Sequence, residues 1–176
     1  IKDIDEIEFK KMFPDYEKKK AAARKVSIWH QPPIHIKRQV VTMIHTPTGK
    51  TAFDNKKYIP RKEDGTAVKG YKSTYRRLRW IDPASTVTMD NRKISSQNNV
   101  HPGHYLGEDE NGDVVYSDPR VLSLFELMRV MSLPDDWPLP ADANVAFVRS
   151  VIGEGIPPLF VKKVFEKIIT VGDEYV

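Results

Sequence analysis

Cysteine does not occur in this 176-residue chain. Its absence excludes a disulfide scaffold, a thiolate metal site and a cysteine nucleophile within these residues. Long apolar runs are missing as well. Nothing approaches the roughly 18–20 consecutive apolar residues that cross a bilayer, and the first residues hold no secretory h-region. His30, His35 and His45 lie in a stretch, Val26 to His45, that contains no Asp or Glu. Metal sites are normally assembled from His together with carboxylate or Cys ligands. These three are therefore read as core or surface histidines, and no metal is expected. No internal repeat is visible, and the chain opens on Ile1 rather than Met, as a piece of a longer protein would.

The composition that remains, 40% hydrophobic and 30% charged, suits a soluble globular protein with core enough for one domain or two small ones. The formal net charge of +4 conceals a division. Residues 16–80 hold 17 Lys and Arg against 4 Asp and Glu, a balance of +13. Residues 81–176 hold 8 against 15, a balance of −7, and residues 1–15 hold 3 against 5, a balance of −2. Solubility alone does not require that separation. The basic half has the form of an electrostatic footprint for a polyanion; the plainer alternative is a lysine-rich solvated face.

Along the chain the pattern alternates between helical and extended signals. Lys18 to Lys25 reads as a helix end or an arm. Residues 26–45, broken by Pro32-Pro33, read as two short strands, Gln39–His45 being the better one. Thr46-Pro47-Thr48-Gly49-Lys50 is a turn able to approach a phosphate, without the two-glycine spacing of a P-loop. Residues 54–73 form a basic loop, and Phe53, Tyr58, Tyr71 and Tyr75 interleave with its cations, a mixture suited to tracking a nucleic-acid backbone. A turn at Asp82-Pro83 leads into a strand with alternating threonines up to Thr88, and Asn91–Gly103 is a polar loop. Asn111-Gly112 suits a hairpin.

Helical signals dominate the last third. Ser123 and Glu126 have capping-box spacing. Leu124, Leu127, Met128 and Met131 follow as one apolar stripe, Pro134 closes the helix, and Asp135 to Trp137 make a turn with one large apolar anchor. Asp142 is placed to cap a second helix, Ala143–Ile152, that Gly153 ends. Pro158 fits the opening turn of a third, striped by Phe160, Val161, Val164, Phe165, Ile168 and Ile169. The sum is an α+β pattern.

Three separated motifs stand in one order. The first runs Arg77-Leu78-x-Trp80-x-Asp82-Pro83-Ala84-x-Thr86-Val87-Thr88. The second is His101-Pro102, then Arg120-x-Leu122-Ser123-x-x-Glu126 and Leu133-Pro134-Asp135-Asp136-Trp137. The third is Ile152-Gly153-Glu154-Gly155-Ile156-Pro157-Pro158. Together they resemble the C-terminal part of a DNA (cytosine-5) methyltransferase, from Tyr75 to about Phe165. Residues 16–74 occupy the place of that family's variable recognition region. Three positions depart from the family pattern: Glu154 stands where Asn is usual, Ser85 where Pro is, and Met131 where Gln often is. The family's Gly-rich cofactor loop, Pro-Cys nucleophile motif, Glu-Asn-Val motif and Gln-x-Arg-x-Arg strand have no counterpart here.

The resemblance implies an enzyme that flips cytosine out of duplex DNA and methylates C5 from S-adenosylmethionine, since C5 and C6 are out of reach of covalent attack inside the stack. It implies a small, β-rich recognition domain over 16–140 after a leading segment 1–15, and C-terminal helices over 141–176 that pack on a missing α/β catalytic domain. On this basis duplex DNA and a catalytic N-terminal half are the expected partners, in the cytoplasm of a prokaryote or phage-infected host, with no membrane. A DNA-binding module or specificity subunit without catalysis is the alternative, and an RNA-binding or structural protein a third. Lys37, Arg38, Lys50, Lys56, Lys57, Arg61, Lys62, Arg76 and Arg79 are candidates for the DNA face, with Ser95, Ser96 and Gln97 lining the groove loop. By family position Arg77 organises the recognition region from beneath, with Thr86, Arg120 and Glu126 as further structural residues. Glu154, Gly155 and Ile156 would flank S-adenosylmethionine; read alone, Gly153–Pro158 is a helix-to-helix turn. No residue here is expected to be catalytic.

Overall fold

The computed structural model describes residues 12–173. It is a small α+β arrangement: helices α1 (Tyr16–Val26) and α2 (Lys37–Ile44), a hairpin of β1 (Tyr105–Glu108) and β2 (Val114–Tyr116), then helices α3 (Leu124–Val130), α4 (Val145–Glu154) and α5 (Pro158–Asp173). In α1, Glu17 lies in the first turn and Arg24 and Lys25 in the last, complementing the helix dipole, and none of its residues is buried.

The stretch Gln39–His45, expected as a strand, lies in and just after helix α2, a correction to the sequence reading. Its Val-Val pair has β propensity, but burial decides. Val40 and Met43, three apart, turn to one side and are buried, as helical spacing allows and strand alternation does not. The threonine segment after Pro83 is not a strand either: residues 81–86 are exposed and no neighbouring segment offers them a ladder. Among the described residues the expected β-rich character is reduced to the two-stranded hairpin and a set of isolated bridges. Segment 73–78 lies at the centre of an irregular layer. It bonds on one side to 49–52 (Arg77 N–H to the Lys50 carbonyl, 3.0 Å; Ala52 N–H to that of Tyr75, 2.9 Å). On the other side it bonds to 94–100 (Asn98 N–H to the Ser73 carbonyl, 2.9 Å; Leu78 N–H to that of Val100, 2.9 Å). Segment 120–122 closes the far edge through His101 N–H and the Arg120 carbonyl, 2.8 Å. Each segment gives an inward residue to one core: Met43, Ala52, Tyr75, Ile94, Val100 and Val121.

The hairpin forms where Asn111-Gly112 predicts it, with Tyr105 opposite Tyr116 and a register shift at Gly107. The capping box of α3 is present: Ser123 Oγ accepts from the Glu126 amide (3.1 Å) and the Glu126 carboxylate from the Ser123 amide (2.6 Å). Leu124, Leu127, Met128 and Met131 are buried. The helix ends before Pro134 can act. Ser132 turns left-handed (φ 56°), and the Ser132 and Leu133 amides bond back to the carbonyls of Arg129 and Met128, both 2.9 Å.

The second C-terminal helix starts and stops later than the sequence suggests. Asn144, not Asp142, is its cap, accepting from the Phe147 amide at 3.1 Å. Gly153 does not end it; the cap is Gly155. Gly153 has a different task, because a Cβ there would run into the backbone of Thr88 and Met89. Helix propensity alone favours alanine over glycine by about 1 kcal/mol, so the two effects oppose each other. Collision with backbone, which cannot swing aside, outweighs propensity. Gly153→Ala is expected to lower stability by about 1–3 kcal/mol, and a raised thermal midpoint would refute the close approach. On α5 the stripe Phe160, Val164, Phe165, Ile168 and Ile169 faces outward, 41–62% exposed.

Candidate nucleic-acid interface and its buried support

The basic residues singled out in the sequence do not all behave alike. Lys37 and Arg38 stand exposed on the first turn of α2. Lys50, Lys56, Lys57, Arg61, Lys62 and Arg79 are exposed along 50–79, as is Gln97, while Arg76, Ser95 and Ser96 are half-buried. Several already have partners. Lys57 and the Tyr58 hydroxyl share the Asp113 carboxylate at the turn of the hairpin, Arg79 pairs with Asp82 at 3.2 Å, and the Arg61 guanidinium donates to the Gly65 carbonyl at 2.9 Å. The layer brings the 50, 76 and 97 regions side by side, through bridges pairing Thr51 with Arg76 and Thr74 with Gln97. Arg61 and Lys62 belong to a separate small turn in which Arg61 pairs with Ala67.

Beneath this face lies a buried polar cluster. Arg77 is 1% exposed, and its guanidinium donates to three main-chain carbonyls: Met43 (2.7 Å), His101 (2.9 Å) and Asp118 (3.1 Å). The Met43 carbonyl is one of the last of α2 and accepts from the Thr46 amide just beyond it (3.1 Å); the cation adds a second donor and answers the helix dipole. Burial pulls the Arg77 pKa down to about 10, against the attraction of Asp118, so the group stays charged at neutral pH. Gly103 makes room for it; a Cβ there would meet the Arg77 guanidinium and the Ser117 carbonyl. Trp80 closes the flank by donating to the Gly103 carbonyl (2.9 Å) and stacking on His104.

Arg120 holds Glu126 through two parallel bonds, 2.8 and 3.0 Å, and reaches Asp118 at 3.0 Å. Burial would raise the Glu126 pKa, but Arg120 and the Ser123 amide hold it down at about 2. His101 sits between the two carboxylates, 3.9 Å from Asp118 and 3.8 Å from Glu126. Its Nδ1 accepts from the Gly103 amide at 3.1 Å, which places the proton on Nε2. Burial and the nearby Arg120 push its pKa down to about 4, so the ring is neutral. Thr86, expected beside these residues, is exposed and outside the cluster.

A second buried cation, Arg149 on α4, donates to the Asn91 (2.8 Å) and Leu122 (2.9 Å) carbonyls. Asn91 in turn donates to the Arg149 and Thr88 carbonyls, tying α4 to the layer. Arg149, Asn91 and Asp118 were not singled out from the sequence. The only available signal was a lone cation inside the apolar run of α4. Glu154, Gly155 and Ile156 are exposed at the α4–α5 turn. Gly155 and Ile156 line an apolar groove of about 360 Å³ with Met131, Leu133, Trp137 and Phe147. None of the lining side chains carries a charge and the Trp137 indole N–H is their one polar group, so these residues do not by themselves make a site for S-adenosylmethionine. Among the described residues, no group of His, Asp and Glu is arranged to hold a metal, and no helix is long and apolar enough to cross a membrane.

The whole arrangement can be set beside known proteins. Residues 3–170 match the family model for C-5 cytosine-specific DNA methylase. The chain is 50% identical over 140 residues to the Type II methyltransferase M1.HgaI of Avibacterium volantium, an overlap covering 80% of this chain and 38% of that protein. The chain thus spans about two-fifths of the length of that relative. No solved structure matches. A match over nearly the whole chain, joined to 50% identity over 140 residues, identifies this chain as a member of the C-5 cytosine-specific DNA methylase family.

Proposed function

We propose that this chain is the DNA-recognising, C-terminal part of a DNA (cytosine-5) methyltransferase of a restriction-modification system. The observation that carries the reading is the 50% identity to M1.HgaI, a Type II methyltransferase, in a chain that has no cysteine to attack cytosine. The nucleophile and the methyl-donor pocket then belong to a separate catalytic part, which would use S-adenosylmethionine. The exposed stripe of α5 supports such a partner, since an apolar helix face of this kind favours burial against another body. The basic face over residues 16–80 supports a polyanionic substrate.

In this reading the chain's own residues bind and orient. Lysines along 50–69 neutralise phosphates, and the Arg77 and Arg120–Glu126 cluster keeps the layer behind them fixed. The isolated chain is expected to bind duplex DNA with a log-affinity slope near −5 against log salt, the value for about six neutralised phosphates. It is expected to transfer no methyl group until a cysteine-bearing catalytic part is added. A flat salt response, or methyl transfer by the purified chain alone, contradicts the proposal.

A further inference from the structure

The basic face contains more candidates than a reader of base edges needs, and the structure separates them. Phosphate contacts tolerate a mobile cation, whereas reading a base edge requires a side chain held in one place with its donors free. Arg79, Lys57, Lys72 and Lys93 have carboxylate partners within the chain (Asp82, Asp113, Asp54 and Asp90). Arg61 and Lys62 sit on a turn whose described main-chain bonds are to itself, Lys62 N–H to the Thr66 carbonyl (2.8 Å) and Val68 N–H to that of Pro60 (2.9 Å).

Arg76 and Gln97 differ on both counts. Burial alternates along 74–77: Tyr75 and Arg77 are buried at 7% and 1% exposure, while Thr74 and Arg76 between and beside them are only half-buried. Gln97 is exposed and pairs directly opposite Thr74. Arg76, two residues from Thr74, bridges to Thr51 on the other side of the same segment, so Arg76 and Gln97 belong to adjoining segments of one layer. Their backbones are pinned from behind. Tyr75 N–H bonds to the Ile94 carbonyl (3.2 Å) and Asn98 N–H to that of Ser73 (2.9 Å). Tyr75 and Asn98, the residues next to Arg76 and Gln97, are held left-handed at φ 48° and 43°. An aromatic residue in that region is strained and persists only where its surroundings over-determine it.

We infer that Arg76 and Gln97 are the base-reading pair of this face, while the cations of the 56–69 loop contact phosphates. The chemistry is bidentate in both cases: arginine suits the O6 and N7 of guanine, glutamine the N7 and N6 of adenine. The inference rests on the reading that the chain binds duplex DNA, and its test separates the two. The full chain is selected against a duplex library with a random core. Dissociation constants are then measured for the selected duplex and for a scrambled one across a salt series. Arg76→Ala and Gln97→Ala are each expected to cut the ratio between the two duplexes about tenfold or more, leaving the binding to scrambled DNA nearly unchanged. Arg76→Lys, which keeps the charge but not the fork, is expected to lose the ratio too. Lys62→Ala is expected to weaken both duplexes alike and to reduce the salt slope by about one. If Arg76→Ala and Gln97→Ala weaken both duplexes equally, or the wild type selects no sequence, the assignment is overturned while DNA binding stands. If the wild type binds no duplex at any salt, the assignment and the reading beneath it are both overturned. Thermal midpoints of the surface variants, expected to match the wild type, exclude misfolding as the cause.

Discussion

Arg77→Met is expected to cost on the order of 3–5 kcal/mol, much of the roughly 5–15 kcal/mol that holds a domain of this kind together. The side chain would keep much of its volume and lose every donor. Three carbonyls, those of Met43, His101 and Asp118, would each lose a bond from a buried guanidinium. A buried acceptor left without its partner costs about 1–3 kcal/mol. The Asp118 carbonyl keeps the Arg120 amide and the Met43 carbonyl keeps the Thr46 amide, which limits their shares. The Asp118 carboxylate would also lose a cation that faces it. Because the three carbonyls belong to the end of α2, the layer and the segment before α3, the loss would loosen all three joints together. Arg77→Lys is expected to recover only part, since one ammonium lacks the fork that spans three acceptors. Urea denaturation gives the measurement. A change below about 1 kcal/mol for Arg77→Met would show that the cluster does not hold the layer.

Acidification is expected to destabilise the fold well above the pH at which carboxylates normally titrate. Burial, and then the charges of Arg149 and Arg120, push His35 down to about 4, and His101 is held at about 4 for like reasons. In the unfolded chain both titrate near 6.5. Between those values the unfolded state binds more protons than the folded one. The stability each contributes is complete above about pH 6.5 and lost as pH falls through 4. Each histidine amounts to about 3 kcal/mol over that span. Glu126 follows with the same sign at lower pH: present above its ordinary 4.5, lost as pH falls toward 2. Denaturation midpoints at pH 7.0, 5.5 and 4.5 should therefore fall steadily, and His35→Gln with His101→Asn should flatten that decline. Histidine titrations followed by NMR that show both rings protonating near 6.5 in the folded protein would rule the effect out.

How far the sequence could be read depended on the range of the forces involved. The Ser123–Glu126 box, the Asn111-Gly112 hairpin and the start of α5 at Pro158 are local: each is closed by residues within a few positions of one another. Composition also exposed the charge division, and three motifs in order pointed to the family before any coordinates. Two misreadings came where a distant contact outweighed a local preference. Val40 and Val41 favour a strand in isolation, yet the need to bury Val40 and Met43 on one side made a helix. Gly153 has the look of a helix stop, and only the passage of Thr88 and Met89 shows why a side chain is excluded there.

The amino-acid sequence by itself determined the family, the division of charge and the absence of cysteine from these residues, because these are properties of residue type and order. It also placed Arg77, Arg120 and Glu126 in one motif series without saying what they touch. Only the tertiary structure decided that Arg77 bonds three separate carbonyls, that Arg149 and Asn91 tie α4 to the layer, and that Arg76 and Gln97 lie on adjoining segments. Those facts join residues some 20 to 60 positions apart. Nothing in local propensity encodes such pairings; they follow from how a chain with few regular strands satisfies its buried polar groups.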